Sequence, residues 1–225
     1  MDVTTFLDQI IGRTDNVGLT DVDYATRRTR HLEYMVEEGT YLYTARQWPW
    51  RRVSTTLTVP INQGYVNLPS DFGSIGRRAL VTNTVTGTQL KYVNENELRE
   101  EKDSPNVTTS EPTVYSIYGQ GTDYEYRFQI VTNSIQLTFM FPYNKKFPTL
   151  DESTNLNASK VIPEQYHQSV WIPAVRSLAS FSKGDQSWEA HIAQREKGLK
   201  HMIREERLPQ DTLGQFPSFF GGSTY

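Results

Sequence analysis

The side chains of this chain that could do chemistry are few in kind. There are four histidines, 26 Asp and Glu residues, and no cysteine. Without a thiol there can be no disulfide, thiolate metal site or cysteine nucleophile. His31, His167, His191 and His201 all fall on segments patterned as helices. His191 and His201 stand nearly on one helix face, yet neither has a carboxylate at metal-ligand spacing. They read as satisfied or exposed histidines rather than as ligands. Glycoside hydrolysis would need two carboxylates facing one cleft across about 5–9.5 Å. Glu37–Glu38 and Glu205–Glu206 are adjacent pairs, but neighbours on a helix point in different directions. No glycine-rich phosphate loop precedes a helix, and neither His-Glu-x-x-His nor Gly-x-Ser-x-Gly occurs. The expectation is a chain with no cofactor, no metal and no catalytic site.

The remaining chemistry is aromatic. The chain has 13 Tyr, 10 Phe and 4 Trp, amphipathic rings that suit interfaces as well as cores. Two places stand out. Trp48-Pro49-Trp50 follows the first long helical run, where proline removes a backbone donor and disfavours helix at the residue before it. It reads as a hydrophobic joint between a helical and a β module; a sugar- or base-stacking platform is the alternative. The second place is the C-terminal segment, where Leu213, Phe216, Phe219, Phe220 and Tyr225 are set among Gly, Ser and Pro. Ordering such a segment costs about 1–2 kcal/mol per residue, which docking of its aromatics on a partner would offset.

A length of 225 residues suits one large domain or two small ones. The net charge of −3, from 23 basic and 26 acidic residues, argues against a basic nucleic-acid binder. It suits a surface that lets DNA slide past without gripping it. No apolar run approaches the ~20 residues of a membrane span, and Met-Asp-Val-Thr-Thr-Phe-Leu-Asp does not read as a signal peptide. The expected product is soluble and made in the cytoplasm.

Helical periodicity marks both ends of the chain. A short first helix carries Phe6, Leu7, Ile10 and Ile11, with Thr4 or Thr5 as cap and Gly12 as stop. A second runs from Asp21, its cap, to Arg46, with Ala25, Arg28, Leu32, Met35 and Val36 on one face. Between them and the C-terminal helices lie strand signals. Arg51–Pro60 and Tyr65–Leu68 read as a hairpin around Ile61–Gly64, and Ala79–Val85 with Leu90–Val93 as another around Thr86-Gly87. Pro69–Phe72 reads as a corner, and Asn94 or Asn96 caps a short helix. Thr113–Tyr118, Tyr124–Val131 and Ile135–Phe141 are further strands, the last two joined by the turn Thr132-Asn133-Ser134. Ile135, Leu137, Phe139 and Phe141 alternate onto one face. Helical signals return at Pro163. Tyr166, Val170, Ala174, Leu178 and Phe181 share a face, Pro173 should kink the helix, and Gly184 should stop it. Asp185 caps a final helix with a stripe of Trp188, Ile192, Arg195, Leu199, Met202 and Ile203.

The stretch from Ala45 through Trp48-Pro-Trp-Arg-Arg, the following hairpin, and Tyr65-Val-Asn-Leu-Pro-Ser-Asp-Phe72 resembles head-to-tail adaptor proteins of tailed phages. That family includes the head-completion and tubular tail adaptors of short-tailed phages. Ile162-Pro-Glu-Gln-Tyr-His and the helices after it are similar to the helical return of those adaptors. The resemblance implies an α+β fold. A helical bundle forms from residues 1–47 and 160–207, an antiparallel β-sandwich or barrel-like module of residues 48–159 is inserted, and residues 208–225 form an extended tail. It also implies a non-enzymatic connector in the virion neck, made in the host cytoplasm before assembly. Such a connector forms a ring, usually of twelve copies, below the portal protein. It continues the channel for double-stranded DNA, which it does not bind sequence-specifically, and carries the tail nozzle, tube or fibres. The tail residues Leu213 to Tyr225 are then the portal contact and the helical body makes the ring contacts. Two other readings remain open: a virion-associated peptidoglycan hydrolase with Glu37, Glu38 or Glu164 as acid, and a receptor- or carbohydrate-binding module using Trp48 and Trp50.

Overall fold

The computed structural model describes residues 1–14, 23–76, 79–103, 111–120, 125–131, 133–156 and 161–206. The chain divides into two units, residues 1–38 with 151–225 and residues 39–150, the first boundary falling inside a helix. Asp21, Thr132 and the tail residues Leu213, Phe216, Phe219, Phe220 and Tyr225 lie outside the described residues.

The first unit is helical. Helix α1 spans Val3–Thr14. Its cap is Asp2, whose Oδ1 accepts the Thr5 N–H at 2.7 Å, rather than Thr4 or Thr5. The helix also runs through Gly12 rather than stopping there, and it buries Phe6, Leu7, Ile10 and Ile11. Helix α2 is Tyr24–Thr44. Its buried line in this unit is His31, Met35 and Glu38, not the stripe through Ala25, Leu32 and Val36. Hydrophobicity alone misplaces the face because two of its buried side chains are polar.

After Pro163 the chain makes a 3₁₀ turn, Glu164–Tyr166, and a π turn, His167–Trp171. Helix α4 then spans Ile172–Ser182 directly after the π turn, so the departure from regular helix expected of Pro173 lies in the turn just before it. Gly184, at φ 70°, ends α4 as expected. Its N–H goes to the Phe181 carbonyl and the Asp185 N–H to the Ser180 carbonyl, both at 3.0 Å. Asp185 then accepts the Ser187 N–H at 2.9 Å and leads into α5, Trp188–Glu205. Gly198 and Met202 are the buried residues of α5.

The described residues of 39–150 contain eight strands: β1 Arg52–Val59, β2 Tyr65–Asn67, β3 Phe72–Ser74, β4 Val81–Asn83, β5 Gln89–Tyr92, β6 Val114–Gln120, β7 Glu125–Ile130 and β8 Leu137–Lys145. They form one sheet in the order β1-β8-β4-β5-β6-β7-β2, with β3 also on β8. The two ends of that path, β1 and β2, are consecutive in the chain and lie against each other. The sheet is thus a nearly closed barrel, not a two-sheet sandwich. The expected β4–β5 hairpin is present, with Val81 opposite Leu90.

Other pairings differ from the sequence reading. β2 pairs with β7 rather than forming a ladder with β1, and β7 and β8 follow each other without pairing. Phe72–Ser74, at the expected corner, is a strand on β8. β5 and β6 run parallel, Lys91 opposite Val114 and Tyr92 opposite Tyr115, so the module is not wholly antiparallel. The intervening helix α3, Glu95–Asp103, supplies the crossover that parallel neighbours need. Asn94 and Glu97 cap α3 reciprocally, at 2.9 and 3.2 Å.

The barrel core joins Leu57, Val59, Phe72, Val81, Leu90, Tyr115, Phe128, Ile130, Leu137, Phe139, Phe141 and Tyr143. Ile135 is not among them; it precedes β8 and is exposed.

Candidate functional site

The Trp48-Pro49-Trp50 motif is built from the end of α2 outwards. Thr44 closes the helix, and Pro49 opens a 3₁₀ turn, Pro49–Arg51, where its missing N–H leaves nothing unpaired. Trp48 is 1% exposed and donates its indole N–H to the Leu42 carbonyl at 2.7 Å. Its ring stacks on Trp50 with centroids 6.0 Å apart and planes 12° from parallel. Trp50 meets Tyr43 edge-on at 5.1 Å. The covered Trp48 ring offers no face to a sugar or base, whereas Trp50 is partly exposed.

Arg51, next in the chain, carries no mark in the sequence beyond opening a strand. It is buried, with its guanidinium 4.4 Å from the centre of the Tyr43 ring. It donates to the Lys145 carbonyl at 2.8 and 3.2 Å, to the Arg46 carbonyl at 3.2 Å, and to the Tyr43 carbonyl. Burial pulls its pKa below the usual value. No sequence signal distinguishes this arginine from its exposed neighbour Arg52.

The Tyr65–Phe72 motif has a clear physical basis. Arg127 lies over the Tyr65 ring at 5.0 Å, and Leu68 and Phe72 enter the core. Asp71 accepts the Tyr143 hydroxyl at 2.7 Å and pairs with Lys145 at 3.0 Å. Burial acts to raise the Asp71 pKa, but those two partners outweigh it and hold the carboxyl below its ordinary value. Phe72 also lines a cleft of about 470 Å³ with Ile75, Gly76, Ala79, Tyr92, Tyr115 and Ile117. No carboxylate, histidine or other charged side chain lines it among the described residues.

The chain matches the family model described as SU10 adaptor protein over residues 1–214. It belongs to that family. The membership agrees with the resemblance to phage head-to-tail adaptors carried by residues 45–72 and 162–167. A comparison with curated proteins finds no match.

The remaining candidates sort as follows in this adaptor-family chain. Glu37 and Glu164 are exposed. Glu38 is buried and pairs with Arg195 at 3.4 Å; burial raises its pKa, and Arg195 offsets part of that rise. None of the three carboxylates lines the cleft described above. His31 and His167 are buried, bonded to the Arg27 carbonyl at 2.8 Å and the Ile162 carbonyl at 2.7 Å, and burial lowers both pKa values. His191 is partly buried, and His201 is exposed and lies 3.0 Å from Glu205. Among the described residues, no group of three His, Asp or Glu could hold a metal, and no helix is long and apolar enough to cross a membrane.

Sequence reasoning missed one further site. Asn133 lies in what reads as a polar turn, but it is fully buried. Its amide donates to the Pro60 and Ile135 carbonyls at 2.8 and 2.6 Å, and its oxygen accepts the Gly64 N–H at 3.1 Å. An asparagine in a turn is ordinary; only the fold shows that it ties two loops together.

Proposed function

We propose that this protein is the head-to-tail adaptor of a tailed phage, forming a ring of about twelve copies below the portal. The observation that carries the reading is the adaptor-family match over residues 1–214, in a chain whose helical segments flank a barrel-like β module. In this reading residues 1–47 and 160–207 form the helical bundle and make ring contacts. The module of residues 48–159 is inserted at the Trp48-Pro49-Trp50 joint. Residues 208–225 dock on the portal through Leu213, Phe216, Phe219, Phe220 and Tyr225. The ring continues the DNA channel and carries the tail nozzle, tube or fibres. Near-balanced charge supports the channel role, because each neutralised phosphate adds salt-dependent affinity that would hold passing DNA.

Mass photometry of the full chain and of a chain cut after Arg207, each with and without portal, tests this. The expected result is a portal-dependent ring of about twelve copies that the cut weakens or abolishes. A monomer indifferent to portal would overturn the proposal.

A further inference from the structure

One edge of β1 pairs with no strand among the described residues. The hydrogen bonds fix which groups lie on it. The Thr84 N–H reaches the Thr138 carbonyl at 2.9 Å, so the backbone groups of Thr138 face β4. Sidedness alternates along a strand, so Leu137, Phe139, Phe141 and Tyr143 face β1. Register makes Val59, Leu57, Thr55 and Val53 their hydrogen-bonded partners. Arg52, Ser54, Thr56 and Thr58 therefore turn their backbone groups away from β8.

Little else reaches that edge. β2 follows after residues 60–64 and is 3 residues long, so it flanks β1 only near Thr58. The Arg52 N–H goes to the Pro49 carbonyl. The Arg52 carbonyl and both backbone groups of Ser54 and Thr56 remain on the open edge, and the side chains of all three residues are exposed. Open edges are normally blunted by a charge, a proline or a bulge. From Val53 to Val59, Val-Ser-Thr-Thr-Leu-Thr-Val, β1 has none of these, and its register with β8 is unbroken. A flat, uncharged edge rich in β-branched residues is one that accepts another strand.

We infer that this edge pairs with the same edge of a second copy, antiparallel and centred on Ser54. Charge and register select that occupant. A two-fold axis at Ser54 sets Ser54 against Ser54 and Arg52 against Thr56, so the one cation of the strand meets a hydroxyl and never its like. The two Ser54 residues exchange both backbone bonds, and each Thr56 N–H reaches the other copy's Arg52 carbonyl. The Arg52 N–H, already held by Pro49, is not needed. A strand bearing acids would find only Arg52 to answer it. The contact is isologous and closes at two copies, so it belongs to the free chain, is not repeated around a ring, and does not rest on the ring reading.

Sedimentation equilibrium of the full chain without portal, over a concentration series, tests this. Native protein should pass from monomer to dimer. Ser54→Lys and Ser54→Glu each set like charges against each other at the axis. Each should raise the concentration for half-dimerisation at least about tenfold. An equimolar mixture should return it to the native value or below, because a mixed pair sets carboxylate against ammonium. Ser54→Pro removes the edge N–H without adding charge and should weaken the dimer as well. Ser54 is exposed and makes no ladder bond to β8, so thermal melts of the variants should match the native protein. A native chain that stays monomeric throughout, variants that dimerise as the native chain does, or a mixture that fails to recover would each overturn the pairing.

Discussion

Replacing Gly198 with alanine separates local helix propensity from packing. In an exposed helix interior this change stabilises by about 0.8–1 kcal/mol, because glycine has more backbone freedom to lose on folding. Gly198 is different: it is buried, and α5 crosses the π turn there. A Cβ at 198 would lie 2.7 Å from the Ser169 carbonyl carbon, 3.1 Å from Val170 Cγ2, and closer still to the Ser169 oxygen. Ordinary contact begins near 3.4 Å, so α5 would have to retreat by at least 3.4 − 2.7 = 0.7 Å. The obstacle is backbone in a turn and cannot swing aside as a side chain could. Pro173 explains why that carbonyl is available: it has no N–H to offer the residue four back. Overpacking of this kind costs about 1–3 kcal/mol or somewhat more, against a propensity gain of about 1. A clash with backbone lies at the top of that range, so the expected net loss is about 2 kcal/mol, or roughly 4–8 °C in Tm for a chain of this size. Urea unfolding of Gly198→Ala beside the exposed control Ala193→Gly is the assay. A Gly198→Ala midpoint equal to or above the native one would refute the packing argument.

Acid should destabilise the helical unit. The folded pKa values of His31 and His167 are pushed below the ordinary 6.5 by burial. The unfolded chain therefore takes up protons below pH 6.5 while the fold does not. Stability present above that pH falls as pH drops, by up to about 1.4 kcal/mol per unit for each histidine. Glu38 acts the other way: its raised pKa favours the fold below the ordinary 4.5, an effect lost as pH rises through the folded value. A urea midpoint that stays flat from pH 8 to 5.5 would contradict the histidine account. Asn133→Ala leaves the Gly64 N–H and the Pro60 and Ile135 carbonyls without their partner and should cost about 2–4 kcal/mol. Amide exchange should quicken at residues 60–64, and unchanged protection there would show that the loops hold without it. Arg51→Lys keeps the charge but loses the fork on the Lys145 carbonyl, an expected loss of about 2 kcal/mol. Calorimetry showing native stability would mean that the fork contributes nothing.

What can be read from the sequence is local. The Asn94–Glu97 cap, the Gly184 stop and the β4–β5 hairpin rest on residues within a few positions of one another, so short-range rules find them. The pairing of β2 with β7 and the strand Phe72–Ser74 depend on partners about 60–70 residues away, which no local pattern encodes. The buried face of α2 escapes a hydrophobicity rule because His31 and Glu38 are polar yet satisfied. The candidate sites divide along the same line. Trp48-Pro49-Trp50 and the Tyr65–Phe72 motif are continuous in the chain and stand out in it. The cleft is assembled from pieces of residues 72–79, β5 and β6, and is visible only once the barrel closes.

That closure is itself unusual in its physics. β1 and β2 lie against each other at the seam without a ladder joining them among the described residues. An unpaired edge carries a row of backbone donors and acceptors that needs partners. Two side chains bind backbone groups just outside the two strands. At the loop end, Asn133 serves Gly64, Pro60 and Ile135. At the other end, Arg51 collects the carbonyls of Tyr43, Arg46 and Lys145. A ladder would have tied the seam along its length; here Asn133 holds the loop that joins the two strands, and Arg51 holds the chain entering β1 to the end of β8. The two residues should therefore act on separate parts of the module. Asn133→Ala should quicken amide exchange at residues 60–64 and leave the exchange of Arg51 and its neighbours at the native rate. Equal quickening at both places would show that the two ends of the barrel are not independent.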